Sequence, residues 1–365
     1  MDHGRFSPST ENLFRPPYIK VTGRQPFKAV NNPTKKDKEA YGYCPRVTLF
    51  KALRKGGFQI FLHVEFSVPK LLYGNNFDEV CESDFGEICW KLSQALEVRG
   101  VKLIGGRKTI AQAGVSVIHY AKNVVLRNYD TPYRYLREFE KINVSMRLDV
   151  NKTDFRNEGH AVRYHGNKYE VIMYDKIKDL EQAGKSEKRA IEKDNYIQMD
   201  IFDIQPLKRP FEVLRLEVRF GDRRKLKSEL KKVGMVLDML DFTSLYSKQI
   251  AQKILFSTIT EIEAMYPKIL LAEEVSIEEF FTDLCINNPE NSLRKSLALL
   301  GMRELIKQIG VRKFREVTKG YSASTWYSLN KDIREVHLSK RTTVFASIKN
   351  DIRSFQQVKL ENYHI

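Results

Sequence analysis

Apolar and polar residues alternate with a period of two in several stretches of the first 220 residues, and this pattern predicts β-strands. The clearest case is the last of these stretches, in which Arg215, Glu217 and Arg219 fall on one face. Lys55-Gly56-Gly57 and Gly166-Asn167 separate two pairs of such stretches, so each pair predicts a β-hairpin. The predicted strands are 46–53, 58–66, 115–126, 144–150, 161–165, 168–173 and 211–220.

Apolar residues recur at helical spacing between these strands and beyond them. Ser83 and Gly100 bound a predicted helix as its cap and its stop, and Thr131-Pro132 opens a shorter one carrying Leu136 and Phe139. From about Leu226 onward the pattern is helical throughout. The predicted helices are 84–99, the short one after Thr131, 244–265, 277–284, 293–309 and 324–336.

Strands joined by hairpins and interrupted by a few helices predict an α+β domain with a mostly antiparallel sheet. We assign residues 43–235 to this domain and residues 236–365 to an all-α C-terminal domain. Residues 1–42 are rich in proline, asparagine, lysine and threonine, which predicts an irregular N-terminal arm with little packing of its own.

The charge of the chain indicates the class of partner. Among 365 residues, 62 Lys and Arg stand against 46 Asp and Glu, which gives a formal net charge of +16. Because 42% of the residues are apolar, the chain can also bury a core. A folded and strongly basic protein is most often a polyanion binder, and DNA or RNA is the commonest polyanion. A soluble basic enzyme without a polyanionic partner ranks second.

The cysteines and the N-terminus indicate the compartment. Cys44, Cys81, Cys89 and Cys285 form no Cys-x-x-Cys pair and have no zinc-ligand spacing, so we expect ordinary thiols in a reducing compartment. Residues 1–5 lack an apolar signal core, and no segment is apolar enough to span a bilayer. The expectation is a cytoplasmic protein that does not contact a membrane.

Tyr174 is the candidate nucleophile. It ends an apolar run and precedes a charged stretch in which Lys178 follows four residues later. If this junction is helical, the phenol and the ammonium share a face, and the lysine can stabilise a phenolate or the charge that develops on phosphorus. The alternative is an amphipathic tyrosine packed at the edge of a sheet.

Three residues are candidate metal ligands. His63 and Glu65 project from one face of a predicted strand, and His119 lies at the centre of another. An imidazole and carboxylate site with open positions suits Mg²⁺ or Mn²⁺ when phosphate oxygens complete the shell. The alternative is two polar groups on a solvated face and a structural histidine.

Four blocks of the chain, in the same order, resemble phage and plasmid replication proteins of the gene II/X family. They are residues 61–76, 117–120, 171–176 and 214–220, with a fainter match at 324–327. The resemblance covers roughly residues 45–335. It implies an HUH-type nickase, which cuts one origin strand with a tyrosine, joins the 5′ phosphate and leaves a free 3′ hydroxyl.

The resemblance assigns roles to individual residues. The family's tyrosine falls on Tyr174 and its nearby lysine on Lys176, whereas the general HUH spacing selects Lys178, which helical geometry favours. The segment His63-Val64-Glu65 has a carboxylate where the second histidine normally stands, and a carboxylate is still a good ligand for Mg²⁺ or Mn²⁺.

The resemblance and the charge together define the expected partners. We expect single-stranded or supercoiled origin DNA, with a host helicase and polymerase, in a bacterial cytoplasm. Two further functions remain open: a non-catalytic DNA-binding replication regulator, and a related HUH transposase or relaxase. The basic residues expected to contact DNA are Lys70, Arg215, Arg219, Arg223, Arg224 and Lys225.

Overall fold

A computed structural model describes residues 27–54, 57–127, 130–142, 154–156, 160–182, 212–271, 275–339 and 343–363. The strands are β1 (Phe27–Asn31), β2 (Arg46–Arg54), β3 (Gly57–Glu65), β4 (Ile118–Leu126), β5 (Asp154–Arg156), β6 (Ala161–Gly166), β7 (Tyr169–Asp175) and β8 (Glu212–Phe220). The helices are α1 (Lys35–Tyr41), α2 (Val68–Tyr73), α3 (Phe85–Val98), α4 (Arg107–Ala111), α5 (Pro132–Glu140), α6 (Arg223–Lys232), α7 (Phe242–Leu245), α8 (Lys248–Ala264), α9 (Ile277–Asn287), α10 (Leu293–Val317), α11 (Ala323–Glu335) and α12 (Val344–Ser354). Residues 176–182 are also helical.

Strands β1, β2 and β3 form a three-stranded antiparallel sheet in that order. Val47 and Leu49 of β2 face one side, opposite Val64 and Leu62 of β3. This side packs on α3 and forms a core of its own, because the apolar residues of α3 recur at helical spacing. The β2–β3 hairpin and α3 therefore confirm the predictions made for them.

The prediction of an irregular arm is wrong for residues 27–41. Five of these residues form β1, which pairs with β2 along its whole length, and α1 follows. Thr34 caps α1 with a capping box: the Thr34 hydroxyl accepts from the amide of Asp37, and the Asp37 carboxylate accepts from the amide of Thr34. The remaining arm residues, 1–26, lie outside the described ranges, as does the predicted strand 144–150.

Strands β4 to β8 form a separate five-stranded antiparallel sheet in the order β4-β8-β7-β6-β5. One face packs against α5 and α8, and the apolar residues of this face share one core with the C-terminal helices. The other face carries most of the charged residues. The chain is therefore α+β with a helical C-terminal region, as predicted, although the antiparallel strands are divided between two sheets.

The C-terminal helices broadly follow their predicted positions. Helix α9 runs three residues beyond its predicted end, and α10 begins at Leu293 as predicted. Gly310, with φ 73° and ψ 161°, kinks α10 directly after the predicted end at residue 309, and the helix then continues to Val317. Among the described residues no helix has the length and apolar character needed to cross a bilayer.

Strand β4 begins three residues later than predicted, for a physical reason. The amide of Val115 donates to the carbonyl of Leu240 at 2.9 Å, and Gly114 forms a bridge with Asp241. The first residues of the predicted strand are therefore paired with the segment before α7, and only Ile118–Leu126 pair with β8.

The β6–β7 hairpin confirms a predicted element with its turn shifted by one residue. Gly166 pairs with Tyr169, so Asn167 and Lys168 are the two turn residues rather than Gly166 and Asn167. Lys168 has φ 59°, in the left-handed region that a residue with a side chain adopts only at a cost. The predicted turn was placed one residue too early because glycine was taken as a turn residue. The buried residues of both strands decide the pairing register, and they place Gly166 in the strand.

This turn provides a test of the register. Lys168→Gly removes a side chain from a left-handed position, so we expect the free energy of unfolding to rise by about 0.5–1 kcal/mol. Urea denaturation measures the change. A loss of stability in this variant would contradict the assigned turn.

Candidate active site on the five-stranded sheet

Alternation along β8 separates an apolar face from a charged one. Leu214, Leu216 and Val218 are buried in the core, whereas Arg215, Glu217 and Arg219 point to the opposite face. The neighbouring strands add residues of the same character to that face, because antiparallel partners project to the same side. We call it the polar face; its charged and ionisable members are His119, Arg163, His165, Glu170, Tyr174, Arg215, Glu217 and Arg219.

A chain of ion pairs crosses four strands of the polar face. His119 Nδ1 lies 3.5 Å from Glu217 Oε1, and Arg219 Nη2 donates to Glu217 Oε2 at 3.0 Å. Arg219 Nη1 lies 3.8 Å from Glu170 Oε2, and His165 Nδ1 lies 3.3 Å from Glu170 Oε1. The ion pair between Arg219 and Glu170 therefore links β8 to β7, and the two histidine–carboxylate contacts extend the chain to β4 and β6.

Glu217 is ionised at the centre of this chain. Its burial favours the neutral acid, but the hydrogen bond from His119 and the charges of Arg215 and Arg219 hold the pKa of the carboxyl well below its usual range. The carboxylate thus holds Arg219 by a hydrogen bond and interacts with the charge of Arg215.

Arg215 is the buried cation of the polar face. It is only 8% exposed, and its Nη1 donates to Asn123 Oδ1 at 3.1 Å. Its Nε is buried and has no hydrogen-bond partner among the described residues. A buried arginine with unused donor capacity is suited to an anion such as a phosphate oxygen.

Tyr174 lies directly across from Arg215 in the β7–β8 register. Its side chain is half-buried, and burial raises the pKa of the phenol, while the charge of Arg215 acts in the opposite direction. The resting phenol is therefore neutral, and it needs an acceptor for its proton before it can act as a nucleophile.

Lys176, and not Lys178, is the lysine beside Tyr174. Lys176 Nζ lies 5.5 Å from the centroid of the Tyr174 ring and donates to Asp179 Oδ2 at 2.9 Å. The side chain is fully buried, and burial together with the nearby Arg215 lowers the pKa of Lys176 to about 8.

The preference for Lys178 on helical geometry is therefore wrong. Its side chain is exposed and its Nζ lies 3.0 Å from His160 Nε2. The helical argument assumed that Tyr174 belongs to a helix, but Tyr174 is a strand residue and helix begins only at Lys176.

The predicted metal ligands are not brought together. His63 and Glu65 lie on β3 of the three-stranded sheet, whereas His119 lies on β4 of the other sheet and contacts Glu217. His63 packs edge-on against Phe50 at 4.4 Å, and burial lowers its pKa. Across the described ranges, no three His, Cys, Asp or Glu residues are grouped as a metal site would require. These residues do not fit the expected Mg²⁺ or Mn²⁺ site.

A cleft of about 2070 Å³ lies between the two sheets and borders the polar face. Its lining includes His63, Glu65, Lys70, His119, Arg215, Glu217 and Arg223. Tyr174 and Lys176 do not line this cleft. Arg215 does, and it also lies directly across from Tyr174 on the neighbouring strand. Lys and Arg residues nearly balance Asp and Glu residues in this lining, so the cleft as a whole is close to neutral.

Helix α6 carries an exposed basic stripe that differs from the predicted cluster. Arg223 is exposed but its Nη2 donates to the carbonyl of Leu240, and Lys225 Nζ pairs with Glu229, so both side chains are anchored to the protein. The α6 stripe (Arg224, Lys227, Lys231) is instead exposed at spacings of three and four residues. The sequence also marks Lys231-Lys232 as a basic cluster, whereas sequence reasoning missed Lys227, although its helical spacing from Arg224 was visible.

Sequence reasoning also missed Arg163 and Glu170, which lie near Arg219 on the polar face. Arg163 Nη2 lies 3.7 Å from Glu170 Oε2. Both alternate with buried residues along β6 and β7, so the period of two was the signal that would have found them.

Comparison with protein-family models, with curated proteins and with solved structures finds no match to this chain. The resemblance to the gene II/X family therefore depends on the sequence blocks alone. The polar face is an independent basis for a functional argument.

The buried state of Lys176 predicts how stability depends on pH. Near pH 8 the folded state releases the Lys176 proton, whereas the unfolded chain keeps it until about pH 10.5, so the unfolded state binds more protons between these values. The free energy of unfolding of the parent, relative to Lys176→Met, should rise by about 1–2 kcal/mol from pH 7 to pH 9.5. Urea denaturation of both proteins measures this difference, and parallel pH profiles would contradict a buried lysine.

Proposed function

We propose that the protein cleaves and rejoins a DNA strand through Tyr174, as rolling-circle replication initiators do. The observation that carries the proposal is the position of Tyr174 between Lys176 and Arg215, on a charged sheet face of a chain with net charge +16. A five-stranded antiparallel sheet is compatible with the HUH-type fold that the resemblance implies, and that assignment belongs to the proposal.

In the proposed step, the phenol oxygen of Tyr174 attacks a backbone phosphorus. A bond forms between that oxygen and phosphorus, and the bond from phosphorus to the 3′ oxygen of the preceding nucleotide breaks. The products are a 5′-phosphotyrosine and a strand ending in a 3′ hydroxyl. The phenol proton is transferred to the leaving 3′ oxygen, and the reverse reaction rejoins the strand.

Lys176 suits the transfer of that proton. A lysine with a pKa of about 8 is partly neutral near physiological pH, so its amine can accept the phenol proton as attack proceeds. The resulting ammonium can then donate to the leaving oxygen. In the resting protein Nζ lies over the ring, and catalytic contacts often tighten only when substrate is bound.

The arginines of the polar face suit the phosphate. Arg215 lines the cleft, and Arg219 is held by Glu217 on the same strand, β8. Preorganised donors that face the developing negative charge stabilise a transition state more than donors that must reorient in water. No step is assigned to a divalent ion, because the three expected ligands are divided between two sheets.

The proposal defines the partners. Single-stranded or supercoiled origin DNA is the substrate, and the free 3′ hydroxyl serves a host polymerase, with a host helicase to open the duplex. The protein acts in the cytoplasm of a bacterial cell.

A non-catalytic DNA-binding regulator is the second candidate. The raised pKa of Tyr174 favours it, because a half-buried neutral phenol is also an ordinary packing residue. The two candidates share the basic surface and differ in whether a covalent bond to DNA forms.

Tyr174→Phe tests the nucleophile. The change removes one hydroxyl, so DNA binding should persist while the covalent protein–DNA adduct disappears. Denaturing gels of protein incubated with labelled single-stranded DNA measure the adduct. Tyr169→Phe is the matched control, because Tyr169 lies on the same strand with its side chain in the core, and this variant should still form the adduct. An adduct with Tyr174→Phe would assign the reaction to another residue.

The two lysines have different expected effects. Lys176→Met should slow adduct formation by about 10²-fold or more, the range for loss of a general acid or base. Lys178→Met should leave the rate close to that of the parent, because Lys178 contacts His160. Equal effects in the single-turnover rate would contradict the assignment of Lys176.

The α6 stripe provides a test of DNA binding. If Arg224, Lys227 and Lys231 each contact a phosphate of a single strand, replacing all three by Gln should lower the salt slope of log K by about 2. Fluorescence anisotropy across a salt series measures the slope. Lys313, Lys319 and Lys331 are exposed in the C-terminal helical region, so their triple Gln variant changes the net charge equally and is the control. Identical slopes in both variants would remove the stripe from the binding surface.

A further inference from the structure

The end of α10 and the whole of α11 form two helices joined by a short turn. The backbone of Gly310 leaves the helical region, so residues 311–317 form a short helix of their own beyond the kink. Thr318 ends this helix and Ser322 caps the start of α11, which leaves Lys319-Gly320-Tyr321 as the turn. Two helices joined by a turn of three or four residues, often with a glycine, are the elements of a helix-turn-helix unit.

Contacts on both sides of the turn fix this unit. Ser322 Oγ accepts from the amide of Thr325 at 3.1 Å, which caps α11. The rings of Phe314 and Trp326 pack with their centroids 6.0 Å apart, so the two helices contact each other beside the turn. The inner sides of both helices belong to the main core, with buried side chains at Val311, Phe314, Ile333 and Val336. The outer side of α11 therefore faces solvent in a fixed orientation.

The outer side of α11 is polar but carries no charge in its first two turns. Ser324, Tyr327, Ser328 and Lys331 are exposed and follow one another at spacings of three and four residues, so they share one face. We call it the α11 face (Ser324, Tyr327, Ser328, Lys331). None of the residues 323–330 is ionisable at neutral pH, and the Tyr327 ring is 73% exposed. Hydroxyl groups and an exposed ring are groups that contact base edges and the thymine methyl.

Positive charge surrounds this uncharged face. Among residues 311–331, five lysines and arginines stand against one acidic residue, Glu316. The five are Arg312, Lys313, Arg315, Lys319 and Lys331. All except the first are exposed. In protein–DNA complexes cations contact phosphates and set the position, whereas uncharged polar groups contact the bases. The unit is therefore complementary to a groove that lies between two phosphate backbones.

We propose that α11 is a recognition helix that lies in the major groove of double-stranded DNA, where Ser324, Tyr327 and Ser328 contact base edges. Lys319, in the turn, contacts a phosphate. The major groove admits an α-helix, and in helix-turn-helix proteins the N-terminal residues of the second helix contact the bases. Residues 324–331 span about 10 Å of helix, the length of about three base pairs. This duplex site does not rest on the chemistry proposed for Tyr174, because a protein that only binds DNA can also use it.

Selection from a pool of double-stranded DNA with randomised central positions tests the site with the full chain. The parent should enrich a short core of about three or four base pairs, as the length of the α11 face requires. Changing Ser324, Tyr327 and Ser328 together to Ala should lower the affinity for the enriched duplex at least about tenfold, close to that for an unselected duplex. Because Ala favours helix, the variant should fold, and circular dichroism checks this.

Helix α9 provides the matched control. Thr282, Cys285 and Ile286 are exposed and uncharged, and they lie outside the helix-turn-helix unit. Changing these three residues together to Ala should leave the affinity for the enriched duplex equal to that of the parent. The control therefore matches the number of substitutions, their exposure and the unchanged net charge.

Lys319→Gln separates phosphate contact from base contact. It should lower the affinity for enriched and unselected duplexes alike and reduce the salt slope of log K by about 1. A single strand has no major groove, so the triple Ala variant of the α11 face should bind single-stranded DNA as the parent does. An equal loss of single-strand and duplex affinity in this variant would contradict a helix that lies in a groove.

Pyrimidines with a propynyl group at C5 identify the groove. This group fills the major groove at every base pair and leaves the minor groove unchanged, so the enriched duplex made with these pyrimidines should lose its preference over unselected DNA. Three results would each overturn the proposal: a parent that enriches no core, a triple Ala variant of the α11 face that loses no more affinity than the α9 control, and full binding to the propynyl duplex. The selection measures binding alone, so none of these results depends on whether Tyr174 forms an adduct.

Discussion

The buried carboxylate of Glu217 is the interaction on which the polar face depends. A buried charge is costly unless it is paired and hydrogen-bonded, and Glu217 is satisfied by His119 on β4 and Arg219 on its own strand, with Arg215 beside it. Removing the Glu217 carboxylate would leave Arg215 and Arg219 close together on the sheet, with less negative charge to offset their repulsion. Together with Glu170, Glu217 offsets most of the charge of Arg163, Arg215 and Arg219, so these arginines can lie close together on one face.

The proposed chemistry follows from the same constraint. Arg215 is held on β8 beside a tyrosine that is neutral at rest, and the buried Lys176 has a pKa near 8. In the proposed reaction the proton moves from the neutral phenol to the partly neutral amine. The fixed guanidinium groups stabilise the charge on the phosphate. The same burial that makes Tyr174 a poor phenolate by itself makes Lys176 able to accept its proton.

Local periodicity predicted the elements better than their arrangement. The alternation in β8 and the helical spacing in α3 and α10 describe single elements that each bury one side, so the sequence was sufficient for them. The division of the strands into two sheets and the pairing of β1 with β2 depend on contacts between distant residues, which no local pattern encodes. The turn at Asn167 and Lys168 was shifted for the same reason, because cross-strand packing decided the register.

The candidate site shows the same limit. The period of two on β3 correctly put His63 and Glu65 on one face, but it could not show that His119 belongs to a different sheet. Lys178 was favoured because helical spacing was applied to Tyr174, which is a strand residue. The lysine beside Tyr174 is Lys176, two residues later. The sequence selects it only if Tyr174 is placed on the strand and the helix begins at Lys176.

The most direct measurement is mass spectrometry of the protein after reaction with single-stranded DNA and nuclease digestion. The tryptic peptide from Tyr169 to Lys176 contains two tyrosines, and fragment ions distinguish them. The account predicts a nucleotide joined through its 5′ phosphate to Tyr174 and an unmodified Tyr169. A nucleotide on any other residue, or no modified peptide from a protein that binds the DNA, would contradict it.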